Sequence, residues 1–518
     1  MRGAEYRKTM EREHFDVLVI GCGISGIAAA YYLKKNNPDK SFRILERRES
    51  LGGTWDFFKY PGIRSDSDMY TFGYSFRPWT ARKMIAPKED ILTYLWNVVH
   101  EFDLEKHIRF NTEVASSTFS SDRGTWYVDG KNGKRYSCSF LFMCTGYYKY
   151  DKGYTPDFDG REDFRGRVVH PQAWDLDPKD YEGKNIVVIG SGATAATLIP
   201  ALADKAKFVT MLQRSPGYYA TRPSETSGVS KILNRISPYL GHWLNRWKSI
   251  ATGSLLWNLS KKYPKMVRKA IMKDVRERCP EDFDVDTHFN PKYDPWDQRI
   301  CLVPDGDFFE ALKRGRVDVV TDHVDRFTES GVRTRSGKVL DADIIVTATG
   351  LNLQTNFPMS NIRVVVDNKT YDSPQAIMYR GVMLSDVPNF AFTMGYANAS
   401  WTLKAELTCV FVSRLLSAMD KSGKDICVVA RDDSAVDEGE QFFDLSSGYL
   451  MRVKDRMPKQ GNKSPWKLHQ DYTMDMLNLS FRRIEDGVLR FKLSGQMRRD
   501  LLDNNNSGSS RSRLRSRL

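Results

Sequence analysis

Two glycine-rich loops place the strongest constraint on the fold of this chain. The first, GCGISG, begins at Gly21, and the second, GSGATA, begins at Gly190. Each follows a short apolar stretch, precedes an alanine-containing stretch with helical character, and is completed by a second apolar stretch. Strand, glycine turn, helix and strand in this order form the βαβ unit that holds a dinucleotide at the helix N-terminus. The sequence therefore predicts an α/β protein with two Rossmann-like units.

The first unit, which starts at Phe15, has every part of a dinucleotide site. Gly21 allows the tight turn, Gly23 lets the backbone approach a pyrophosphate, and Gly26 permits close packing of the helix on the strand. Glu46 lies 20 residues beyond Gly26, at the end of the second strand. A carboxylate in that place accepts hydrogen bonds from a ribose diol, which predicts FAD or NAD as the ligand.

The second unit, which starts at Asn185, differs from the first at its far end. Gln213 and Arg214 stand where the first unit has Glu46. An arginine there accommodates the additional phosphate of NADPH, whereas a carboxylate would repel it. A chain with an FAD site and an NADPH site is a flavoprotein reductase or an oxygenase.

The length of 518 residues exceeds one compact core and predicts two or three domains. The apolar run that ends in Ala-Thr-Gly at Gly350 repeats the run FLFMCTG that ends at Gly146, which suggests that the chain returns there to its first domain. We expect a discontinuous FAD-binding domain over 12–150 and 340–495, an NADPH-binding domain inserted into it over 160–222 and 299–339, a helical insertion over 223–298, and a disordered basic tail over 500–518.

The cysteines and histidines exclude two classes of protein. The seven cysteines include no C-x-x-C pair, which a pyridine-nucleotide disulfide reductase needs for its redox dithiol. The eight histidines form no H-E-x-x-H motif and no cluster with ligand spacing, so we predict no metal. Scattered cysteines in odd number fit a reducing compartment, and we expect a cytoplasmic protein. No apolar run approaches the length of a membrane span.

The net charge of +13 raises the alternative of a basic scaffold that binds RNA or a membrane. Part of this charge lies in the tail, whose composition predicts a solvated segment. The last residues, Ser516, Arg517 and Leu518, resemble a peroxisomal address, which has meaning only in a eukaryote. We expect no nucleic-acid partner, and peripheral contact with a membrane stays open.

The expected helical insertion carries a periodic apolar stripe. Apolar residues are spaced at three and four, with breaks at Pro238 and Pro264; they include Ile232, Leu233, Ile236, Leu240, Leu244 and Trp247. Such a stripe usually packs into a core, although an insertion in this place can also cover a substrate cavity. We therefore predict ordinary core packing for these side chains.

Two loops contain charged residues that are candidates for an active site. The long stretch LGGTWDFFKYPGIRSDSDMYTFGYSFRPW shows no sustained helical period, and a loop of this kind after a dinucleotide unit can wrap the ring system of a cofactor. Within it Asp66 and Asp68 lie beside Arg64, for which a simple ion pair with a carboxylate is the expected role. Arg299 lies in a second loop, rich in proline and aromatic residues, directly before an apolar run.

Two longer motifs surround the glycine loops. One has the form F-x-G-x-x-x-H-x-x-x-W-D and joins the two units, and the other has the form G-x-W-x-x-x-x-Y-P-G-x-x-x-D. Their residues are Phe164, Gly166, His170, Trp174 and Asp175 in the first motif and Gly53, Trp55, Tyr60, Pro61, Gly62 and Asp66 in the second. Both motifs resemble those of the type I Baeyer-Villiger monooxygenases, which are class B flavoproteins. The likeness extends from about Phe15 to the 490s and is greatest to the ethionamide-activating and long-chain alkane enzymes.

The resemblance implies FAD in the first unit and NADPH in the second, with Arg214 gripping the ribose phosphate. NADPH would reduce the flavin, dioxygen would add to it, and the flavin peroxide would convert a ketone to an ester or lactone. Oxidation of sulfur or nitrogen compounds and hydroxylation of long-chain alkanes stay open as alternatives. Arg299 matches the active-site arginine of the family, and Asp66 matches its carboxylate partner. A permanently charged guanidinium favours an anionic peroxide and the oxyanion that follows.

Two further positions are interpreted through the resemblance. His170 lies in the connector between the units, where a hinge that couples domain movement to catalysis is favoured over proton transfer. Gln298 stands where many members of the family have lysine, next to Arg299. The candidate cofactor contacts are Gly21, Gly23, Gly26, Glu46, Gly53, Trp55, Asp66, Gly190, Gly192, Thr194, Arg214, Gln298, Gly350 and Asn398.

Overall fold

A computed structural model of the protein describes residues 12–226, 228–436 and 447–495, and the expected tail, with Ser516, Arg517 and Leu518, lies outside these residues. The strands are β1 Glu13–Ile20, β2 Phe42–Leu45, β3 Ile108–Arg109, β4 Val114–Ser120, β5 Thr125–Gly130, β6 Arg135–Met143, β7 Arg167–Val169, β8 Asn185–Ile189, β9 Phe208–Gln213, β10 Tyr219–Arg222, β11 Cys301–Pro304, β12 Val317–Thr321, β13 Val324–Thr328, β14 Gly331–Thr334, β15 Val339–Asp341, β16 Ile344–Thr347, β17 Arg363–Val366, β18 Lys369–Thr370, β19 Met378–Tyr379, β20 Met383–Leu384, β21 Phe390–Phe392, β22 Ile426–Val429 and β23 Leu489–Lys492. The α-helices are α1 Ile24–Asn36, α2 Thr54–Phe57, α3 Met69–Phe72, α4 Lys88–Glu101, α5 Pro178–Tyr181, α6 Ala193–Ala203, α7 Val229–Ile236, α8 Pro238–Lys262, α9 Pro264–Arg278, α10 Val285–Phe289, α11 Asp307–Lys313, α12 Trp401–Ser422, α13 Gly448–Met451 and α14 Tyr472–Met476.

The first unit is built on a sheet with the order β18-β17-β4-β5-β6-β1-β2-β3. Strands β3, β2, β1 and β6 are parallel. On its other side β6 has two neighbours. Its first half pairs antiparallel with β5, and its end, Leu141–Met143, pairs parallel with β21. The central strands are apolar and buried on both sides, as parallel strands covered by helices require. Helices α1 and α12 pack together on one face of this sheet.

The second unit has a five-stranded parallel sheet with the order β12-β9-β8-β16-β7. Helices α6 and α11 cover one face, and a small antiparallel sheet of β13, β14 and β15 lies against the other. Together the two sheets confirm the predicted α/β fold with two Rossmann-like units and a helical insertion.

One expected boundary is wrong. The expected FAD-binding domain includes residues 340–347, but β16 pairs with β8 and β7 in the second sheet. The chain adds to the first sheet again only at β17, which pairs with β4. The error has a physical reason, because an apolar strand that ends in a small residue and glycine occurs in both sheets. The pattern therefore identifies a central parallel strand without identifying its sheet.

The helical segment 223–298 bridges the two units. Helix α8 packs on α3 and places Ile250 against Leu403 of α12 in the first unit. Helices α9 and α10 contribute Met272 and Phe289 to the core of the second unit. The predicted core packing of the apolar stripe holds for Trp247, which packs against a small buried cluster. It is wrong for Ile232, Ile236, Leu240 and Leu244, which are exposed. Helical periodicity shows that one face is apolar, and it does not show whether another element covers that face.

Candidate active site

A cavity lies where the two units meet. The first unit supplies the turn at Gly21, the end of β2 at Glu46 and the loop around Gly53. The second unit supplies the first turn of α6, including Thr194, and the loop at Arg299 is part of the same wall. The cavity therefore joins both glycine loops. Of the predicted site residues, its lining includes Gly21, Gly23, Glu46, Gly53, Trp55, Asp66, His170, Thr194, Arg299 and Gly350.

The first glycine loop forms a narrow backbone cradle. Gly21 has a φ of +102°, and a Cβ atom there would lie 2.7 Å from the carbonyl oxygen of Cys144. A Cβ atom at Gly26 would lie 1.9 Å from the carbonyl oxygen of Gly21, so Gly26 acts behind the cavity by allowing close packing. No side chain caps the N-terminus of α1, which begins after Gly23. The free backbone N–H groups and the helix dipole there fit the pyrophosphate of a dinucleotide.

Glu46 has a double role at the end of β2. Its Oε2 atom accepts a hydrogen bond from the backbone N–H of Cys22 at 2.7 Å, and its Oε1 atom accepts one from Arg48 at 2.9 Å. Burial raises the pKa of Glu46, and these two backbone hydrogen bonds oppose the rise. Each carboxylate oxygen retains a second lone pair, so the side chain can still accept hydrogen bonds from a ribose diol.

Arg299 and Asp66 form an ion pair inside the cavity. The Nη2 atom of Arg299 lies 3.2 Å from the Oδ2 atom of Asp66, and their side chains are 34% and 43% exposed. Because both residues line the cavity, a bound molecule can reach the guanidinium. Asp66 is the main cause that holds the pKa of Arg299 well above its ordinary value. The site therefore presents a permanent, oriented cation.

Tyrosine hydroxyls surround this cation. Tyr449 is hydrogen-bonded to the Arg299 side chain, and Arg299 opposes the rise that burial causes in the pKa of Tyr449. The hydroxyl of Tyr147 donates to that of Tyr148 at 3.1 Å, and both side chains line the cavity. Burial raises the pKa of both groups, so they remain neutral hydroxyls at neutral pH. Neutral donors beside a cation can bind a developing oxyanion.

The loop that carries Asp66 is tied to the second unit by ion pairs at alternate residues. Arg64 pairs with Asp307 at the start of α11, Asp66 pairs with Arg299, and Asp68 pairs with Arg222 of β10 at 3.1 Å. The expectation that Arg64 pairs with a carboxylate is confirmed. Its partner belongs to the other unit, so the loop holds the two walls of the cavity together.

His170 connects the joining motif to the cavity. Its Nδ1 atom accepts a hydrogen bond from the backbone N–H of Gln172 at 3.1 Å, and its Nε2 atom lies 3.2 Å from the carbonyl oxygen of Gly350. These partners require the neutral tautomer with the proton on Nε2. Burial lowers the pKa of His170, which also favours the neutral ring. A second proton would break the bond from Gln172, so this geometry suits a positioning role.

The other residues of the joining motif stand outside the cavity lining. Phe164 packs against Phe327 in a hydrophobic cluster, and a Cβ atom at Gly166 would lie 2.2 Å from the carbonyl oxygen of Asp343. The indole N–H of Trp174 donates to the carbonyl oxygen of Leu176 at 2.9 Å. Asp175 pairs with Arg167 of β7 at 2.9 Å. These four residues hold the edge strand β7 and its connection in place.

Four residues predicted to contact the cofactor of the second unit lie outside the cavity lining; they are Gly190, Gly192, Arg214 and Gln298. Gly190 has a φ of +131° and lies so close to Ala348 that a Cβ atom would be 2.3 Å from its carbonyl oxygen. Gly192 precedes α6, whose N-terminus has no side-chain cap. Arg214 directly follows β9 and is exposed, and within the described residues it forms no ion pair. Gln298 is half-buried next to Arg299.

Asn398 is a predicted cofactor contact that the structure places elsewhere. Its Nδ2 atom donates to the carbonyl oxygen of Gln470 at 3.0 Å, and the residue is not part of the cavity lining. The side chain therefore holds the segment before α12 against the C-terminal part of the chain.

Several aromatic residues of the cavity wall were not predicted. Trp401 stacks on Tyr147 with ring centroids 5.1 Å apart and donates from its indole N–H to Ser25 at 2.8 Å. Gly395 makes room for this indole, since a Cβ atom there would lie 2.4 Å from the ring. Tyr396 also lines the cavity. A sequence signal for them is the pair of tyrosines directly after the buried run FLFMCTG, because ligands in such folds bind at the carboxyl ends of the parallel strands.

Comparison with known proteins gives a consistent result. Residues 15–387 match the family model described as flavin-binding monooxygenase-like. The chain is 48% identical over 484 residues to the FAD-containing monooxygenase EthA of Mycobacterium tuberculosis, covering 92% of this chain and 98% of that protein. It is 44% identical over 484 residues to the probable FAD-binding monooxygenase AlmA of Acinetobacter baylyi, covering 92% and 96%.

Solved structures share the fold at lower sequence identity. A steroid monooxygenase bound to NADP has a TM-score of 0.68 and 24% identity, covering 80% of this chain and 88% of its own. Cyclohexanone monooxygenase in an open form has a TM-score of 0.69 and 21% identity, covering 81% and 90%. The model match spans well over half of the chain, and the relatives exceed 40% identity across nearly their whole length. The chain belongs to the flavin-binding monooxygenase-like family.

Proposed function

We propose that this protein is an NADPH- and dioxygen-dependent FAD monooxygenase that performs Baeyer-Villiger oxidation of ketones to esters or lactones. The observation that carries the proposal is the Arg299–Asp66 ion pair, which faces a cavity shared by two dinucleotide cradles. The relatives are named as FAD-containing or FAD-binding monooxygenases, and structural neighbours were solved with FAD and NADP.

The first unit fits FAD. The uncapped N-terminus of α1 and the turn at Gly21 would hold the pyrophosphate, and Glu46 would accept hydrogen bonds from the ribose. Gly53 lies against Gly23, and Trp55 lines the cavity in the next turn, so this loop would border the ring system. Bound and reduced, FAD would supply the activation of dioxygen for transfer of one oxygen atom.

The second unit fits NADPH. The uncapped N-terminus of α6 would face the pyrophosphate, and Thr194 of the same turn lines the cavity and is hydrogen-bonded to Tyr60. Arg214 stands exposed at the end of β9, where a guanidinium can bind the ribose phosphate with two parallel hydrogen bonds. Gln298 would add a neutral donor in place of a second cation.

Arg299 would act on the reacting oxygen atoms. A guanidinium is always charged at neutral pH, so it favours anionic oxygen beside it and the oxyanion that forms when a carbonyl is attacked. Asp66 fixes the orientation of the guanidinium, and Tyr449 holds a further atom of the same group. The aromatic wall formed by Tyr147 and Trp401 would exclude water and present an apolar surface to the substrate.

Oxidation of a sulfur compound is a second candidate that the same cavity can accommodate. Attack on sulfur produces no carbonyl-derived oxyanion, so it depends less on Arg299 than ketone oxidation does. Nitrogen compounds and long-chain alkanes fall in the same group of alternatives.

The experiment is a product analysis of the purified, flavin-containing protein with NADPH, labelled dioxygen and either a ketone or a thioether. One labelled oxygen atom in an ester supports the proposal, whereas exclusive formation of a labelled sulfoxide would replace it.

We also propose a cytoplasmic location. All seven cysteines are buried and unpaired, as expected in a reducing compartment. The relatives named above are bacterial, so the peroxisomal interpretation of the last three residues receives no support. Among the described residues, no helix has both the length and the apolar character needed to cross a membrane.

A further inference from the structure

An apolar surface stands uncovered on the helical segment. Ile236 is 73% exposed, Tyr239 is 68% exposed and Trp243 is 56% exposed. Tyr239 and Trp243 are four residues apart on α8 and lie on one face of that helix, and Ile236 is the last residue of α7, which ends two residues before α8 begins. We call this surface the α7–α8 face; its residues are Ile232, Ile236, Tyr239, Leu240, Trp243 and Leu244.

The part of the segment that carries this face is basic. Between Val229 and Lys273 the chain contains ten lysine and arginine residues and no aspartate or glutamate. Three of these cations have acidic partners within the chain, since the buried Arg246 pairs with Glu406, Lys261 pairs with Asp297 and Lys273 pairs with Glu277. The cations of this stretch are Lys231, Arg235, Arg246, Lys248, Lys261, Lys262, Lys265, Arg268, Lys269 and Lys273.

Helix α8 presents this face from a rigid mounting. Arg246 donates to the backbone carbonyl oxygens of Tyr70 at 2.8 Å and Gly73 at 2.7 Å, in addition to its pair with Glu406. On the inner side Ile250 belongs to a small cluster with Tyr396, which lines the cavity. Ile250 lies two turns beyond Trp243 on α8, so the buried part and the exposed part of the helix follow each other along its length.

The combination of apolar and cationic groups selects among possible partners. A second copy of the α7–α8 face would bring two strongly basic segments together, and like charges in contact oppose association. A nucleic acid would satisfy the cations and leave exposed isoleucine and leucine side chains without apolar contact. An anionic lipid surface satisfies both, because the apolar groups enter the interface and the cations meet the headgroups. Tyrosine and tryptophan are the residues that favour this interface.

We propose that the α7–α8 face binds the surface of an anionic lipid membrane. The helices would lie in the plane of the interface, with Tyr239 and Trp243 among the headgroups and the lysines of the same stretch against anionic lipid. The inference is independent of the oxidation reaction, since it rests on the exposed side chains and the charge of this segment alone.

The test measures sedimentation of the full-length, flavin-containing protein with two kinds of vesicle. One kind consists of phosphatidylcholine, and the other contains phosphatidylglycerol in addition. We expect binding to the anionic vesicles that weakens as salt is added, because surface attraction is screened. Equal binding to both kinds of vesicle, or binding to neither, would overturn the proposal. Self-association through this face without vesicle binding would overturn it as well.

Matched variants assign the binding to the surface. Replacing Ile236, Tyr239 and Trp243 together by serine should weaken binding by about tenfold or more, because it removes most of the apolar contact. Val339→Ser with Leu493→Ser is the control, since those side chains are 50% and 52% exposed elsewhere. Binding that survives the triple substitution would contradict the assignment.

A charge pair of variants completes the test. Changing Lys231, Arg235 and Lys248, which are exposed on α7 and α8 beside the apolar residues, to glutamate should abolish binding to anionic vesicles. The control changes Lys134, Lys179 and Lys205, which are exposed on other elements, to glutamate, so that the net charge of both variants is the same. If both variants lose vesicle binding equally, only the net charge of the protein matters, and the proposal of a specific binding face is overturned.

Discussion

The Nη2 atom of Arg299 lies 3.2 Å from the Oδ2 atom of Asp66, and the two residues come from different parts of the fold. Asp66 lies in the loop between α2 and α3, and Arg299 lies just before β11. The pair stands where the two glycine-loop units face each other across the cavity. The guanidinium is permanently charged, and its ion pair with Asp66 orients it.

Asp66→Asn should reduce oxygenation by about tenfold, which corresponds to about 1.4 kcal/mol of lost orientation. The guanidinium stays charged in this variant, so FAD content and NADPH-driven flavin reduction should change little. Rapid-mixing kinetics with a ketone substrate would measure the two steps separately. If the pair acts as a unit, Asp66→Asn should add almost nothing in an Arg299→Ala background, and fully additive effects would contradict coupling.

Arg214→Ala should lower kcat/KM for NADPH by about tenfold to a hundredfold, since hydrogen bonds to a charged group contribute about 1.5–3 kcal/mol. The value for NADH should be unchanged, because NADH lacks the ribose phosphate. Arg123→Ala provides a control on the turn after β4. A parallel loss with both nucleotides would place the phosphate contact elsewhere.

Glu406→Gln should destabilise the protein by about 3–5 kcal/mol, because it leaves the buried Arg246 without its anionic partner. The matched control is Glu329→Gln, which removes a partner of Arg165 in a pair whose side chains are 65% and 77% exposed. That exposed pair should contribute at most about 1 kcal/mol. Urea denaturation measures the free energy of unfolding of both variants. Equal losses of stability would show that the buried pair of Arg246 and Glu406 contributes no more than the exposed pair.

Acid should destabilise the protein partly through His242. Burial is the main cause that lowers its pKa to about 4, and its Nδ1 atom accepts the backbone N–H of Trp79 at 3.2 Å. The folded pKa lies below the unfolded value of about 6.5, so the stabilisation is present above pH 6.5 and is lost as the pH falls toward 4.

The corresponding variant is His242→Asn, whose Oδ1 atom can accept the same N–H without taking up a proton. Between about pH 6.5 and pH 4 it should lose less stability than the wild type, by up to about 3 kcal/mol. His323→Asn is the exposed control. Superimposable pH profiles for His242→Asn and the wild type would exclude this residue as the cause.

The glycine loops were sufficient to predict both βαβ units, because only a few chain geometries place Gly21 and Gly190 between strand and helix. Local sequence did not assign β16 to the correct sheet, because an apolar strand with a small C-terminal residue fits the centre of either sheet. It also failed on α7 and α8, where periodicity located an apolar face and left open what that face contacts. Only the folded chain shows that Ile236 and Trp243 are exposed.

The cavity was predictable at the positions that carry a motif. Gly21, Glu46 and Thr194 are fixed by local sequence, and they line the cavity. Arg299 and Asp66 were expected to pair through the family resemblance, and no local pattern links them. Tyr449 and Trp401 arrive from distant segments, so their contacts depend on long-range packing.

The most direct measurement for the central claim is the yield of ester per NADPH consumed by Arg299→Ala. Arg222→Ala, which removes a cation paired with Asp68 outside the cavity lining, is the control. Removing one preorganised donor at an oxyanion site costs about 3–4 kcal/mol, so ester formation should fall by about a hundredfold to a thousandfold. The variant should still bind FAD and oxidise NADPH, with hydrogen peroxide released in place of ester. Ester formation at the wild-type yield would contradict the role of Arg299.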